Sequence, residues 1–430
     1  MNANQENVRS FAAVALILTA LLISPSCRSS TGLEAKSVKD QCPSPPPVPP
    51  QEARIYAQQS EWLANYRNVV DAHTPGTQSH PIFGGHLLTA DSNRAGALLQ
   101  AGAMEWVELS LDRFQQLGMR GVTLNLGYPL LMPWFPDSDR YLAYYRDVAR
   151  AVRKRNMTLT VEQIVLYTST QFSPFDFKLD HLTLEKYTAD QAQMAQIIID
   201  QLAPDYLTVM HEPDTVAELT GLRSMLTPGV TTAHVNAILA GLRRGGTLVG
   251  AGSGSWSSPS FADAFSKNTG VDYIDIHIYW INAASVANAY EMARAAQQHG
   301  KAVVITEAGL YKSLGQGLEG MPLGEDLEEK PNVDGVAAVY RRDVFSFWEP
   351  LDMEFLDVTG RFARSVDTRY ISVYWTNMFF SYIDWSPETA GLSYTQLNAQ
   401  LSGQRTARAW LGGSSTCAGR FYKEIIEGSR

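Results

Sequence analysis

The sequence lacks any concentration of basic residues, although its 430 residues include 35 lysines and arginines against 44 aspartates and glutamates. The cations are spread along the chain and form no stripe, which argues against nucleic acid as a partner. No internal repeat stands out, and no apolar run reaches a comfortable bilayer span. The 45% apolar and 18% charged content is normal for a soluble globular protein that buries a large core.

The apolar run Phe11–Ile23 covers about a dozen residues, which is short for a membrane-spanning helix. It follows a segment whose only cation is Arg9, and it precedes Ser24-Pro-Ser-Cys27. This stretch resembles a bacterial lipoprotein signal, which implies a signal segment over residues 1–27 and a lipidated Cys27. Plain secretion and an uncleaved anchor are the alternatives. We therefore predict an exported protein that touches membrane only through an N-terminal lipid or signal anchor.

The next segment, residues 28–50, ends in the proline-rich run CPSPPPVPP and is predicted to be a semi-rigid tether. The folded domain is accordingly predicted to span residues 51–430. Cysteine is scarce, because beyond Cys27 only Cys42 and Cys417 remain. In an exported protein this pair either forms a disulfide or stays as two free thiols, and the sequence leaves both open.

Strand-like and helix-like runs alternate along the predicted domain, which is the pattern of βα units with a parallel sheet. Eight such strands predict an α/β fold, a (β/α)8 TIM barrel forming a single catalytic domain, with its active site at the C-terminal strand ends. An open doubly wound sheet is the alternative. The long connections 315–335 and 347–367 are predicted to shape a cleft. The predicted strands are residues 80–86, 121–126, 157–162, 206–210, 246–250, 273–279, 302–306 and 370–375.

Two glutamates stand just after predicted strands. Glu212 follows the fourth strand and precedes Pro213, which ends ladder pairing. Glu307 follows the seventh strand and precedes two small residues that leave space above it. A carboxylate at the end of a buried strand is costly unless it is solvated, paired or used in chemistry. We therefore predict that the barrel brings these two carboxylates opposite each other.

The sixth predicted strand, Tyr273–Tyr279, alternates isoleucines with polar residues. Because successive side chains of a strand point to opposite faces, the isoleucines are predicted to face the helices. Asp275, His277 and Tyr279 are then predicted to face the barrel interior. His277 and Tyr279 either belong to the site of the two glutamates or are hydrogen-bonded core residues.

These features resemble the motifs of clan A retaining glycoside hydrolases, which are (β/α)8 enzymes, with families 5 and 26 nearest. The matching runs are Glu212-Pro213, the H-x-Y of His277–Tyr279, the T-E-x-G of Thr306–Gly309 and the aromatic Tyr374–Asn377. The resemblance implies that Glu212 is the acid/base and Glu307 the nucleophile. It also implies that Tyr279 steadies Glu307 and that Trp375 forms a platform beneath the sugar. The implied substrate is a β-linked oligo- or polysaccharide, and no cofactor is implied.

The chain departs from the family 5 pattern at two positions. His211 precedes the acid/base where family 5 has asparagine, although family 26 has a His-Glu pair there. The second strand ends in Asn125-Leu-Gly-Tyr128 and lacks the arginine that family 5 enzymes often carry. The predicted substrate-binding residues are His211, His277, Tyr279, Trp375, Asn125, His86 and Trp280. Other residues at or past strand ends either line the cleft or pack, namely Glu162, Trp134 and Trp256.

Two other functions remain open. One is a glycan-binding barrel that has lost turnover. The other is a metal-dependent barrel enzyme whose ligands would be His86, His211 and His277 with a glutamate. The run Gly250–Ser255 also mimics a dinucleotide-binding fingerprint, but the third glycine is missing and no helix start follows, so we predict a flexible cleft loop there.

Overall fold

The computed structural model describes residues 37–73, 79–168, 175–279, 284–313 and 339–428. Eight parallel strands close into a barrel in sequence order, with β1 paired to both β2 and β8. The predicted (β/α)8 barrel is therefore confirmed, and the doubly wound alternative is wrong. The strands are β1 (Ile82–His86), β2 (Gly121–Tyr128), β3 (Thr158–Val165), β4 (Tyr206–Met210), β5 (Leu248–Gly254), β6 (Tyr273–Tyr279), β7 (Ala302–Gly309) and β8 (Thr368–Val373).

Helices connect the strands and begin where local sequence favours them. The Thr183 hydroxyl accepts a hydrogen bond from the Lys186 backbone at 3.2 Å and so caps the helix that precedes β4. No helix among the described residues is long and apolar enough to cross a membrane. The helices are α1 (Val38–Gln41), α2 (Ala53–Ala72), α3 (Ala103–Gln116), α4 (Ser138–Lys154), α5 (Leu184–Leu202), α6 (Pro213–Thr220), α7 (Pro228–Ala240), α8 (Ser260–Asn268), α9 (Ser285–Gln298), α10 (Glu349–Ser365), α11 (Pro387–Ala390), α12 (Gly403–Gly412) and α13 (Cys417–Ile426).

The lower part of the barrel interior is filled by tyrosines at the N-terminal ends of their strands. Tyr206, Tyr273 and Tyr370 form one buried cluster, in which the Tyr206 ring lies 5.6 Å from that of Tyr273 and 6.1 Å from that of Tyr370. The Tyr273 hydroxyl is hydrogen-bonded to the Thr208 hydroxyl at 2.9 Å. These rings form a floor, so the polar residues above them are reached from the C-terminal strand ends.

The glycines of β5 give β6 the room to point large side chains into the barrel. A Cβ atom on Gly250 would lie 2.0 Å from the Tyr273 ring, and one on Gly252 would lie 1.9 Å from the Asp275 carbonyl oxygen. The predicted flexible loop at 250–255 is therefore wrong, since β5 continues to Gly254. The run is rich in glycine because inward side chains there would collide with the neighbouring strand.

The compact unit begins at Val38 and not at Gln51. The Val38 backbone N–H donates to the Glu424 carboxylate at 2.8 Å. Cys42 forms a disulfide with Cys417 across 375 positions of sequence, with the two Cα atoms 6.0 Å apart. The prediction of a tether up to residue 50 is thus wrong from Val38 onward, because this segment is fixed to the C-terminal helix.

One predicted cleft connection is a helix. Within 347–367 lies α10, which buries Leu351, Phe355, Val358 and Phe362. Their spacing of three to four residues is the period of an amphipathic helix, and it places them on one face against the core. The other predicted connection, 315–335, lies outside the described residues.

Candidate active site

Glu212 lies where β4 passes into α6, at the N-terminal end of that helix. Its carboxylate accepts hydrogen bonds from the Thr215 hydroxyl at 2.5 Å and from His277 Nδ1 at 2.7 Å. The side chain is buried but retains some exposure, with 8% of the residue surface accessible. Both donors, together with the partial positive charge of the helix N-terminus, favour the ionised carboxylate.

Glu307 lies within β7 and is held by one neutral donor on each oxygen. Asn125 Nδ2 donates to Oε1 at 3.0 Å, and the Tyr279 hydroxyl donates to Oε2 at 2.8 Å. One carboxylate oxygen of Glu307 and one of Glu212 lie within 4.8 Å of each other, and a nitrogen of His277 lies within the same distance of both. The structure therefore brings together five of the sequence-predicted residues around one point.

Glu162 of β3 is the central residue whose importance the sequence analysis missed. It is fully buried, and Oε1 accepts from His277 Nε2 at 2.7 Å and from the Thr306 hydroxyl at 2.5 Å. The sequence did contain one indication of this role. Glu162 lies two residues after Thr160 on the same strand, so both side chains point to the same face, the barrel interior. Its partner on β2 is Asn125, which contacts Glu307. Glu162 thus belongs to the site and not to the apolar core.

His277 lies between these carboxylates. Because Nδ1 faces Glu212 and Nε2 faces Glu162, and ionised carboxylates only accept hydrogen bonds, both ring nitrogens carry hydrogen. Burial alone would lower the pKa of His277, but the charges of Glu162 and Glu307 outweigh it and raise the pKa well above its ordinary value. The ring is therefore an imidazolium at neutral pH.

The two glutamates of the pair have opposite pKa shifts. Burial raises the pKa of Glu307, the neighbouring Glu162 raises it further, and the result is about 7. Burial also tends to raise the pKa of Glu212, but the hydrogen bond and charge of His277 lower it below the ordinary value. In the free protein His277 thus outweighs burial in the surroundings of Glu212, and the pKa of this carboxyl is not raised above its ordinary value.

His86 and His211 lie near the pair in different settings. His86 Nε2 donates to the Thr306 carbonyl at 3.1 Å and lies 3.6 Å from Glu307 Oε1, so this side chain borders the reactive carboxylate. His211 is buried, and among the described residues its Nδ1 has no hydrogen-bond partner. Burial lowers the pKa of His211, which keeps this ring neutral.

An aromatic wall stands beside Glu307. The Trp375 ring lies 5.4 Å from the Tyr279 ring, and a Cβ atom on Gly309 would lie only 2.0 Å from Trp375. Gly309 therefore allows the indole to lie over the end of β7. On the other side of Tyr279, Trp256 donates its indole N–H to Asp214 at 2.7 Å. The predicted Trp280 lies outside the described residues.

The hydrogen bonds of the site disfavour the metal-dependent alternative. His211, one of its predicted ligands, belongs to none of the potential ligand groups among the described residues. His86 Nε2 faces a carbonyl and both nitrogens of His277 face carboxylates, so these nitrogens hold protons where a cation would need lone pairs. The groups with atoms within 4.8 Å of one another are His86–Glu162–Glu307, Glu162–Asp275–His277 and Glu212–His277–Glu307.

Comparison with known proteins supports the fold. No protein-family model and no curated protein matches the sequence. Among solved structures, an exo-beta-1,4-mannosidase from an Opitutaceae bacterium is similar at 12% identity and a TM-score of 0.51, over 83% of this chain and 62% of that one. GH5_18 proteins from Streptomyces cattleya and Bifidobacterium longum subsp. longum, both in complex with Manb1-4GlcNAc, have TM-scores of 0.48 at 14% and 15% identity, covering 81% of this chain and 81% and 78% of theirs. The chain therefore has a closed (β/α)8 barrel, and the fold is what it shares with the mannosidase structure.

Proposed function

We propose that this protein is a retaining glycoside hydrolase that cleaves β-linked glycans, with Glu307 as the nucleophile and Glu212 as the acid/base. The observation that carries the proposal is that one carboxylate oxygen of Glu212 and one of Glu307 lie within 4.8 Å of each other. Retaining enzymes hold their carboxyl groups about 5–5.5 Å apart, whereas inverting enzymes leave about 6.5–9.5 Å for an intervening water.

The contacts of the two glutamates support this division of roles. Tyr279 and Asn125 each hold one oxygen of Glu307, which fixes the carboxylate in one orientation for attack on the anomeric carbon. Glu212 is hydrogen-bonded instead to His277, whose Nδ1 carries a hydrogen that can pass along this bond. The glutamate with the proton-exchanging partner is the better acid/base, and the glutamate oriented by neutral donors is the better nucleophile.

The aromatic wall supports carbohydrate as the ligand. Trp375, Tyr279 and Tyr374 present rings next to Glu307, with the Tyr374 ring 5.5 Å from Trp375. Aromatic faces bind the apolar C–H faces of sugars, while the buried polar groups supply hydrogen bonds to hydroxyls. Export of the chain, with a lipid on Cys27 or by plain secretion, remains a prediction.

We expect retention of anomeric configuration when a β-glycoside is hydrolysed. A panel of aryl β-glycosides and β-1,4-linked oligosaccharides, with mannosides included because the similar mannosidase acts on them, identifies a substrate. The anomer released first is then read by proton NMR before mutarotation, with and without chelator. Release of the α-anomer would contradict the double displacement, and loss of activity with chelator would favour the metal-dependent alternative.

We expect kcat/KM to fall as the pH drops below neutrality. The nucleophile must be ionised, and the pKa of Glu307 is raised to about 7. Protonation below that pH removes the attacking form, so kcat/KM should fall about tenfold per pH unit on the acid side. A pH series with an activated aryl glycoside measures this limb, because such a substrate needs little acid assistance. A kcat/KM that stays constant down to pH 5 would contradict it.

A glycan-binding barrel without turnover is the second candidate. The pKa shifts favour it, because the pKa of Glu307 is raised to about 7 while that of Glu212 is lowered. The carboxyl that binds a proton more readily in the free protein is thus Glu307, whereas hydrolysis needs the proton on Glu212. Calorimetric binding of an oligosaccharide that is never cleaved, across the whole pH range, would select this function over hydrolysis.

A further inference from the structure

His277 is the only described side chain that bridges the acid/base and a third carboxylate. Its Nδ1 donates to Glu212 Oε1 and its Nε2 to Glu162 Oε1, each at 2.7 Å. Glu162 has no exposure and lies on the far side of the ring from Glu212. The three side chains come from β3, β6 and the end of β4, so the barrel itself sets their positions. The roles assigned above use the contact between His277 and Glu212, but they give Glu162 no part.

The surroundings of His277 are strongly anionic. Its ring lies 3.5 Å from Glu307 and 3.7 Å from Asp275, in addition to its two bonded carboxylates. Asp275 is held by the Thr208 hydroxyl at 2.8 Å and by the Thr306 backbone N–H at 3.0 Å. The titratable groups that face His277, within the described residues, are Glu162 of β3, His211 and Glu212 after β4, Asp275 of β6 and Glu307 of β7. His86 of β1 lies against two of these groups, with Nε2 3.5 Å from Glu162 and 3.6 Å from Glu307.

This geometry leaves Glu212 without a proton of its own in the free protein, although the first chemical step requires one. Of the two donors to Glu212, the Thr215 hydroxyl and His277 Nδ1, only the imidazolium is acidic enough to give up its proton, along the hydrogen bond to Glu212 Oε1. The second ring proton, on Nε2, is held by Glu162 and does not face Glu212. The imidazolium of His277 is therefore a proton donor that is already hydrogen-bonded to Glu212. Glu162, on the opposite side of the ring, fixes the ring orientation and holds the hydrogen on Nε2.

We propose that the proton delivered to the leaving group is stored on His277 Nδ1 and passes through Glu212, and that Glu162 is the positioning residue that keeps His277 protonated and oriented. The inference rests on the proposed function, because it assigns the source of the proton for that reaction.

The proton balance closes over one turnover. In the first step, an oxygen of Glu307 bonds to the anomeric carbon, the glycosidic bond breaks, and the departing oxygen takes the proton that Glu212 receives from Nδ1. His277 is then neutral and keeps its Nε2 proton towards Glu162. In the second step, water bonds to the anomeric carbon, the ester to Glu307 breaks, and the proton of the water returns through Glu212 to Nδ1. One water is consumed and the protein is restored.

Glu162→Gln is the variant that tests the proposal. The amide keeps an oxygen that accepts from Nε2 but removes the charge, so His277 should lose its proton at lower pH. Loss of an opposite charge at this range shifts a pKa by about 1–3 units, so we expect the alkaline limb of kcat/KM to move down by that amount. The acid limb should move down as well, because Glu162 raises the pKa of Glu307. The whole profile therefore shifts to lower pH.

Dependence on the leaving group separates this role from a structural one. Glycosides with alkyl leaving groups need the proton and should lose about 10²-fold in kcat at pH 8, whereas dinitrophenyl glycosides should change little. Glu162→Asp keeps the charge and should restore most of the alkaline limb. Glu354→Gln removes a partly exposed carboxylate of α10 that pairs with Arg67, and it should leave that limb in place. Equal losses with both leaving groups in Glu162→Gln would overturn the proposal.

The protonation of His277 can be measured without turnover. In protein labelled with ¹⁵N-histidine and assigned by His277→Gln, both ring nitrogens of His277 should show imidazolium shifts through neutral pH, and Glu162→Gln should convert them to those of a neutral ring. A neutral ring in the unaltered protein would overturn the relay even if hydrolysis is found. Imidazolium shifts with no hydrolysis of any glycoside would instead show that the proposed function has failed.

Discussion

Replacing Glu307 with alanine is expected to abolish hydrolysis and to let azide restore turnover with inversion of configuration. The substitution removes the group that attacks the anomeric carbon, so kcat should fall on the order of 10⁴-fold or more, the scale seen when a nucleophile is removed. Azide is small enough to enter the space left by the carboxylate and would attack from the same side. A single displacement results, and a β-glycoside should give an α-glycosyl azide, which NMR of the product identifies.

The pKa of Glu307 makes this result decisive, because a glutamate that titrates at about 7 also has the properties of an acid. If Glu307 were the acid and Glu212 the nucleophile, the azide product of Glu307→Ala would be the β-anomer and that of Glu212→Ala the α-anomer. Glu307→Gln serves as the control for shape, since its single amide oxygen still accepts a hydrogen bond from one of Asn125 and Tyr279 but the amide cannot attack. Both variants should melt cooperatively, which a thermal unfolding scan checks.

Replacing Glu212 with alanine is expected to slow hydrolysis strongly for poor leaving groups and only weakly for good ones. General acid assistance contributes about 10²–10⁴-fold, so alkyl glycosides should lose activity by that factor. Dinitrophenolate departs without needing a proton, so the first step with dinitrophenyl glycosides should proceed and the glycosyl-enzyme should accumulate. A burst of dinitrophenolate followed by slow turnover is the expected time course.

Azide should accelerate the slow phase of Glu212→Ala and give a β-glycosyl azide, because it replaces water in the second displacement. Glu354→Gln, which alters a carboxyl of α10 that pairs with Arg67, provides the control and should keep most of the turnover. Equal loss of activity for alkyl and dinitrophenyl glycosides in Glu212→Ala would contradict an acid role for Glu212.

The barrel could be predicted because its signals are local. The alternation of strand-like and helix-like runs indicated eight βα units, and all eight predicted strand positions overlap the observed strands. The alternation in Tyr273–Tyr279 correctly placed Asp275 and His277 in the interior. The glycines of β5 led to the wrong prediction of a flexible loop. They are needed because the side chains of β6 occupy the space beside them, and this contact between two strands cannot be inferred from the spacing of residues in the sequence.

The electrostatics of the site could not be predicted in the same way. The sequence indicated a pair of carboxylates, but the pKa order of that pair depends on Glu162 and His277, which lie 115 positions apart and meet across the barrel. Glu162 carries no motif of its own and resembles any strand residue. A sequence pattern can therefore nominate the reactive groups, whereas the location of the proton follows only from the three-dimensional contacts.

The disulfide between Cys42 and Cys417 has a mechanical consequence. It closes a covalent loop that contains the whole barrel, and the hydrogen bond from Val38 to Glu424 places both ends of the folded unit together. Tension applied between Val38 and Glu424, which lie outside this loop, would pass through the sulfur atoms and bypass the strands. The barrel would therefore carry almost none of that load while the bond remains oxidised.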